Sequence, residues 1–200
     1  LQEGQVLLKQ GNWDPLQQDF LGYQISESTV GIVGLGGIGL AIAKRIKAFD
    51  ITRLLYCGPS EKPQAEEVGA EYVTFDKLLR ESDYILICCR LNDNTKEMFN
   101  DSAFNKMKPN SVLINTARGG IVDHEALLRA LEEGKIWGAG LDVMTPEPLP
   151  SDSPLLKFYN CVLMPHIGSS TIKTRERMAE LAVENVLAPL DGRPMPLPLF

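Results

Sequence analysis

TVGIVGLGGIG, residues 29–39, decides the fold. Thr29–Val33 is short, apolar and rich in β-branched residues, which reads as a buried strand. From Gly37 to Phe49 apolar residues recur at helical spacing. The link between them, Gly34-Leu-Gly36-Gly37-Ile38-Gly39, fits GxGxxG. Each position has a physical task. Gly34 permits a tight turn, Gly36 lets backbone approach a pyrophosphate, and Gly39 allows close helix–strand packing. Gly37 and Ile38 open the helix, whose free N–H groups and positive dipole end suit phosphate oxygens. A lone GxGxxG is a weak signal, since glycines also serve ordinary turns. Its place between a strand and a helix makes dinucleotide binding the better reading.

The same alternation continues along the chain. Strands are expected at Arg53–Cys57, Glu71–Val73, Tyr84–Cys89, Ser111–Asn115, within Ile136–Val143 and at Cys161–Met164. Helices are expected at Glu61–Gly69, Asp76–Ser82 with Asp76 as cap, Asp101–Met107, His124–Glu133 after Asp123, and Thr171–Leu190. Alternating strands and helices imply an α/β fold, a Rossmann-type doubly wound parallel sheet over residues 29–192. Residues 1–28, with Trp13, Pro15 and Gly22, form a polar lead-in with no assignable fold. Residues 193–200 read as a proline-rich extended strap.

The formal net charge of −6 argues against a broad nucleic-acid surface, which needs a basic excess. No apolar run approaches membrane-spanning length and no signal peptide opens the chain. Cys57, Cys88, Cys89 and Cys161 have no metal-ligand spacing and read as small core hydrophobes. With no disulfide framework in view, a reducing, cytoplasmic setting is expected. The chain begins at Leu1 in mid-pattern, which suggests either a fragment or a natural short product.

The turn after the second strand is Tyr56-Cys57-Gly58-Pro59-Ser60-Glu61-Lys62. An NAD-specific site places an acid about 20 residues past the glycine loop, on the ribose hydroxyls. Here that place holds Gly58. A 2′-phosphate meets no repulsion, Ser60 can donate a hydrogen bond, and Lys62 or Arg90 can supply positive charge. NADPH is therefore expected over NADH. Glu61 is the dissenting residue, because turned inward it would restore an NADH preference.

Three later segments follow strands: Asn115-Thr-Ala-Arg118-Gly-Gly120, Gly140-Leu-Asp142-Val-Met-Thr-Pro-Glu147-Pro, and Pro165-His166-Ile-Gly168-Ser169-Ser-Thr171. They bring one Arg, one Glu and one His toward the carboxyl edge of a nucleotide-binding sheet. Bland alternatives stand beside these readings: His166 as a satisfied core histidine, Glu147 as a surface loop acid and, in the earlier turn, Lys62 as a solvated charge. Arg118 before two glycines is harder to explain by packing. His124, between Asp123 and Glu125, reads as first-turn helix surface, and Trp13 and Trp137 as packing residues.

TVGIVGLGGIG, NTARGGIVD, GLDVMTPEPLP and PHIGSST, in that order, resemble the D-isomer-specific 2-hydroxyacid dehydrogenases. Within that family the PEPLPSDSPL and MPHIGSST stretches look closest to the glyoxylate/hydroxypyruvate reductase branch. The resemblance implies reduction of a small 2-oxo acid by a nicotinamide cofactor. His166 would donate the proton, Glu147 would hold the imidazole and favour its charged form, and Arg118 would grip the substrate carboxylate. Asp142 would lie near the nicotinamide carboxamide. Arg90 and Thr116 would line the cofactor groove, and Gly168 and Ser169 would border substrate and nicotinamide. A homodimer through the cofactor domain is also implied. Family members carry a longer N-terminal half that builds much of the substrate domain, so this chain is expected to bind dinucleotide and turn over little. The rival reading is an NAD(H)-sensing, corepressor-like interaction protein of the same fold. No metal-ligand cluster is present.

Overall fold

The short runs of Val, Ile, Leu and Tyr that alternate with helical patterns all become strands of one sheet. The computed structural model describes residues 2–11 and 21–198. The strands are β1 (Thr29–Val33), β2 (Arg53–Cys57), β3 (Ala70–Tyr72), β4 (Tyr84–Ile87), β5 (Val112–Asn115), β6 (Gly138–Leu141) and β7 (Cys161–Leu163). All pair in parallel, in the spatial order β3-β2-β1-β4-β5-β6-β7. The chain winds outward from β1 in one direction to β3, then returns to the other side of β1 for β4 to β7. This is the expected Rossmann-type doubly wound sheet, and its switch point lies between β1 and β4.

Side-chain alternation divides the core into two layers. Along β2, Leu54 and Tyr56 join Val30, Ile32 and Ala43 on one face. Leu55 and Cys57 join Leu78, Ile85 and Leu113 on the other. The first layer lies under α2 (Gly37–Ile46) and α3 (Ala65–Val68). The second lies under α4 (Phe75–Glu81), α5 (Asp101–Phe104) and α6 (His124–Glu132). A central parallel strand covered on both faces must be apolar throughout, and in β1 Val30 and Ile32 are buried on one face and Val33 on the other.

Several local expectations shift. The helix expected to start at Asp76 is capped instead by Thr74, whose hydroxyl accepts from Lys77 N–H at 3.2 Å, with Asp76 in the first turn. The helix expected over Glu61–Gly69 shrinks to α3, closed by Gly69 at φ +63. Asp123 caps α6 as read, accepting from Glu125 and Ala126 N–H, and Gly134 follows its end at φ 65. In the lead-in, Gln2–Lys9 forms a helix, α1, and Tyr23 meets Trp137 edge-on with centroids 5.8 Å apart. Trp137 is thus a partly exposed packing residue. Trp13 and Pro15 lie outside the described residues. Among the described residues no helix is long and apolar enough to cross a membrane.

The described chain divides into two compact units, Leu1–Pro165 and His166–Phe200. The second unit is built on α7 (Ile172–Leu190), capped by Thr171. Its tail is tied to that helix by a reciprocal pair, Leu197 N–H to Asn185 Oδ1 at 3.0 Å and Asn185 Nδ2 to Leu197 O at 3.1 Å.

Asp83 gathers the beginnings of three strands. Its carboxylate accepts from Thr29 N–H at 2.8 Å and from Lys108 Nζ at 2.9 Å. Its backbone N–H donates to Thr29 O and its carbonyl accepts from Val112 N–H. Burial favours the neutral acid, but the Thr29 N–H and Lys108 outweigh it and hold the carboxyl below its usual range. A depressed carboxyl contributes stability above the unfolded value, near ~3.9, and loses it as pH falls through the lower folded value. Asp83→Asn is expected to lower the unfolding free energy by about 1–3 kcal/mol near neutral pH. Denaturant titrations of both proteins should show that gap narrowing toward about pH 3; an equal gap at both pH values would contradict this role.

A nucleotide groove and two tethered loops

At the switch point the carboxyl ends of β1, β2 and β4 leave a groove of about 540 Å³, within the range of ligand sites. The first turn contributes Gly34, Gly36, Gly37 and Ile38; the second contributes Gly58, Ser60 and Lys62. Cys88, Cys89 and Arg90 close it from the β4 side. Gly34 sits at φ +97, and a Cβ there would come within 2.8 Å of the Cys89 backbone. Behind the turn, a Cβ on Gly39 would lie 2.2 Å from the Gly34 carbonyl oxygen, so α2 seats directly on the loop. Gly36 and Gly37 face open space. No side chain caps α2 at Gly36, so its first-turn N–H groups are offered to an outside acceptor. Bare backbone, an uncapped helix start and a cleft of this size fit a dinucleotide pyrophosphate.

Among the described residues no Asp or Glu lines this groove; Glu61 is exposed and outside it. The thiols at its base are neutral. Burial, with a smaller effect from Cys89, pushes Cys57 and Cys88 up to about 12. Cys57 and Cys161 are core residues as read, whereas Cys88 and Cys89 are half-buried.

Arg118 and Glu147 stand on two loops that touch each other. Asn115, fully buried at the end of β5, accepts from Ala117 N–H at 3.0 Å and donates through Nδ2 to the Arg118 carbonyl at 2.9 Å. That pair of hydrogen bonds fixes the path of the backbone beneath Arg118, whose side chain is exposed. The next residue, Gly119, packs against the Glu147 loop so closely that a Cβ would lie 2.0 Å from Met144 O. Glu147 in turn accepts from Met144 N–H at 2.9 Å through Oε1. Thr116 and Asp142 follow β5 and β6 and stand outside the groove lining; Asp142 N–H donates to Asn115 O.

His124 is not the surface residue expected. It is half-buried at the start of α6, its ring is hydrogen-bonded to the backbone of Thr145, and its Nε2 is buried with no partner. The pattern Asp-His-Glu reads as surface because its neighbours are charged, but the Glu147 loop folds over this one ring. Asn115, Tyr56 and Tyr72 were also not legible as site residues. A lone Asn closing an apolar strand was the one available signal for Asn115.

His166, Gly168 and Ser169 open the second unit. His166 adopts a left-handed backbone, φ 54, which His tolerates better than most side chains. The turn is closed by Ser170 N–H to Ile167 O and Thr171 N–H to Ser169 O, both 2.9 Å, before Thr171 caps α7.

Residues 1–168 match the family described as D-isomer specific 2-hydroxyacid dehydrogenase, NAD binding domain. The chain belongs to this family. The chain is 48% identical over 191 residues to the human glyoxylate reductase/hydroxypyruvate reductase, covering 94% of the chain and 58% of that protein. It is 50% identical over 177 residues to the glyoxylate reductase of Thermococcus litoralis, covering 88% of the chain and 52% of that protein. It therefore spans little more than half the length of these curated relatives. Among solved structures, a protein from Thermus thermophilus superposes with a TM-score of 0.90 at 42% identity, over 99% of the chain and 62% of the other. An acyclic imino acid reductase in complex with NADPH and D-Arg superposes with a TM-score of 0.87 at 27% identity, over 99% and 62%.

Two experiments separate fold from site in this chain. Gly36→Val should stay within about 1 kcal/mol of wild-type stability yet bind dinucleotide at least about tenfold more weakly. Gly39→Val should lose both, because its Cβ has no room; equal binding by Gly36→Val and wild type would contradict the groove. For His124, burial lowers the pKa against the opposing pull of Thr145, Asp123 and Glu125. The unfolded chain then takes up the proton more readily, and stability falls as pH drops below about 6.5. Melting temperatures should fall less for His124→Gln than for wild type between about pH 7.5 and pH 5.5; equal losses would contradict the buried neutral ring.

Proposed function

We propose that this chain is the cofactor-binding part of a reductase that uses NADPH to convert glyoxylate- or hydroxypyruvate-type 2-oxo acids to D-2-hydroxy acids. The observation that carries the cofactor choice is the groove lining: Ser60, Lys62 and Arg90, with no carboxylate among them. A 2′-phosphate gains a hydroxyl donor and two cations there. The diol of NADH finds no acid to accept its hydroxyls.

When bound, the nicotinamide supplies the hydride. The chain's own residues supply the rest. Arg118, on the loop held by Asn115, presents a planar fork of donors to the substrate carboxylate and draws electron density from the adjacent carbonyl. In this reading His166 is the proton donor to the carbonyl oxygen, and Glu147 is the acid assigned to work with it. The substrate assignment rests on the curated relatives, which are named for glyoxylate and hydroxypyruvate. Activity requires the additional length that those relatives have, because a cleft needs a second wall to exclude water.

Fluorescence titration of the chain should give an NADPH affinity at least about tenfold above that for NADH, or roughly 1.4 kcal/mol. Hydroxypyruvate turnover by the chain alone should be slight. In the polypeptide that includes the substrate-binding half, His166→Ala should reduce kcat by about 10²–10⁴-fold. Tight NADH binding with no NADPH preference, or strong turnover by the chain alone, would overturn the proposal.

A further inference from the structure

The end of the groove that would meet the adenosine ribose is a stretch without regular structure, Gly58 to Lys62, between β2 and α3. It contains both the groups that suit a 2′-phosphate, Ser60 and Lys62, and the acid that would reject one, Glu61. Of these three side chains, only Ser60 and Lys62 line the groove, beside Gly58 and Pro59. Rotation of this stretch would exchange them for Glu61, so something must hold its register.

Two tyrosines stand where that hold is needed. Tyr56 on β2 and Tyr72 on β3 are direct partners in the sheet, and their rings lie 5.3 Å apart at 45°. The Tyr56 hydroxyl accepts from the Lys62 backbone N–H at 2.8 Å. The Tyr72 hydroxyl donates to the Gly58 carbonyl at 2.9 Å. One bond ties each end of the five-residue stretch. Tyr56 is only 1% exposed, so its ring is immobilised by the core and its hydroxyl is a rigid anchor. Tyr72 is 40% exposed and leans on Tyr56. An aromatic ring alone would fill both places in the packing, so the hydroxyls answer to the loop.

We propose that Tyr56 and Tyr72 are specificity-determining positioning residues: their hydroxyls hold Gly58–Lys62 in the register that turns Ser60 and Lys62 into the groove and Glu61 out of it. The idea rests on the NADPH reading of the groove and deepens it. The sheet supplies the rigidity, since two adjacent strands cannot shift independently. The loop supplies the chemistry. Cofactor choice is then set by hydroxyl groups that need not touch the cofactor.

The test uses the chain with Tyr56→Phe, Tyr72→Phe and both together, each titrated with NADPH and with NADH. Phe keeps the ring and the packing, and melting temperature checks that the fold is kept. The double variant is expected to bind NADPH about tenfold more weakly while NADH affinity stays within about twofold or rises. Adding Glu61→Gln to the double variant should restore part of the NADPH affinity, because the acid freed to turn inward is gone. An unchanged NADPH-to-NADH ratio, or an equal loss of both cofactors, overturns the proposal. Wild-type protein that favours NADH would instead refute the NADPH reading; the tyrosine proposal is still judged by whether the ratio moves.

Discussion

Everything at the carboxyl edge of this sheet depends on how closely α2 is pressed onto the turn after β1. The Gly39 position leaves no space for a side chain against the Gly34 carbonyl, and Gly34 has none to spare against Cys89. That contact brings the helix start to the switch point and aims its N–H groups into the cleft between β1 and β4. The helix also explains why the loop can be bare. With no side chain capping Gly36, the unsatisfied donors favour an anionic guest, and the open space at Gly36 and Gly37 lets one approach. Loosening this packing would disrupt the fold and the binding site together.

The other loops of the edge are held by shared contacts of the same kind. Asn115 commits both ends of its amide to the Arg118 loop. Gly119 lets that loop lie against Met144, and Met144 N–H engages Glu147. His124 reaches Thr145 from beneath. An arginine and a glutamate far apart in sequence are thus held by neighbouring backbone segments, with no direct bond between the two side chains required. The catalytic roles proposed for the two residues depend on such support, because catalytic geometry tolerates little error.

The sheet was legible because its information is local. Apolar runs of strand length, each followed by a helical pattern, lead to a parallel order with few alternatives, and the glycine turn marks where that order reverses. The positions of Gly34, Gly36, Ser60, Lys62 and Arg90 in one groove follow directly. What escaped was information that arises only when strands become neighbours. Tyr56 and Tyr72 are sixteen positions apart and read as ordinary strand aromatics; only the register makes them a pair. His124 has charged neighbours in sequence and a buried ring in space. Asp76 looked like a cap because acids favour helix starts, but Thr74 reaches the Lys77 N–H first. The helix Gln2–Lys9 carried no pattern strong enough to separate it from the polar lead-in.

The most direct test of this account is a backbone-amide NMR titration of the chain with NADPH. The largest shifts should fall on the amides of Gly36, Gly37 and Ile38 at the start of α2 and on those from Gly58 to Lys62, with Arg90 next. Shifts concentrated away from the switch point, or no shifts at the α2 start at saturating cofactor, would contradict it.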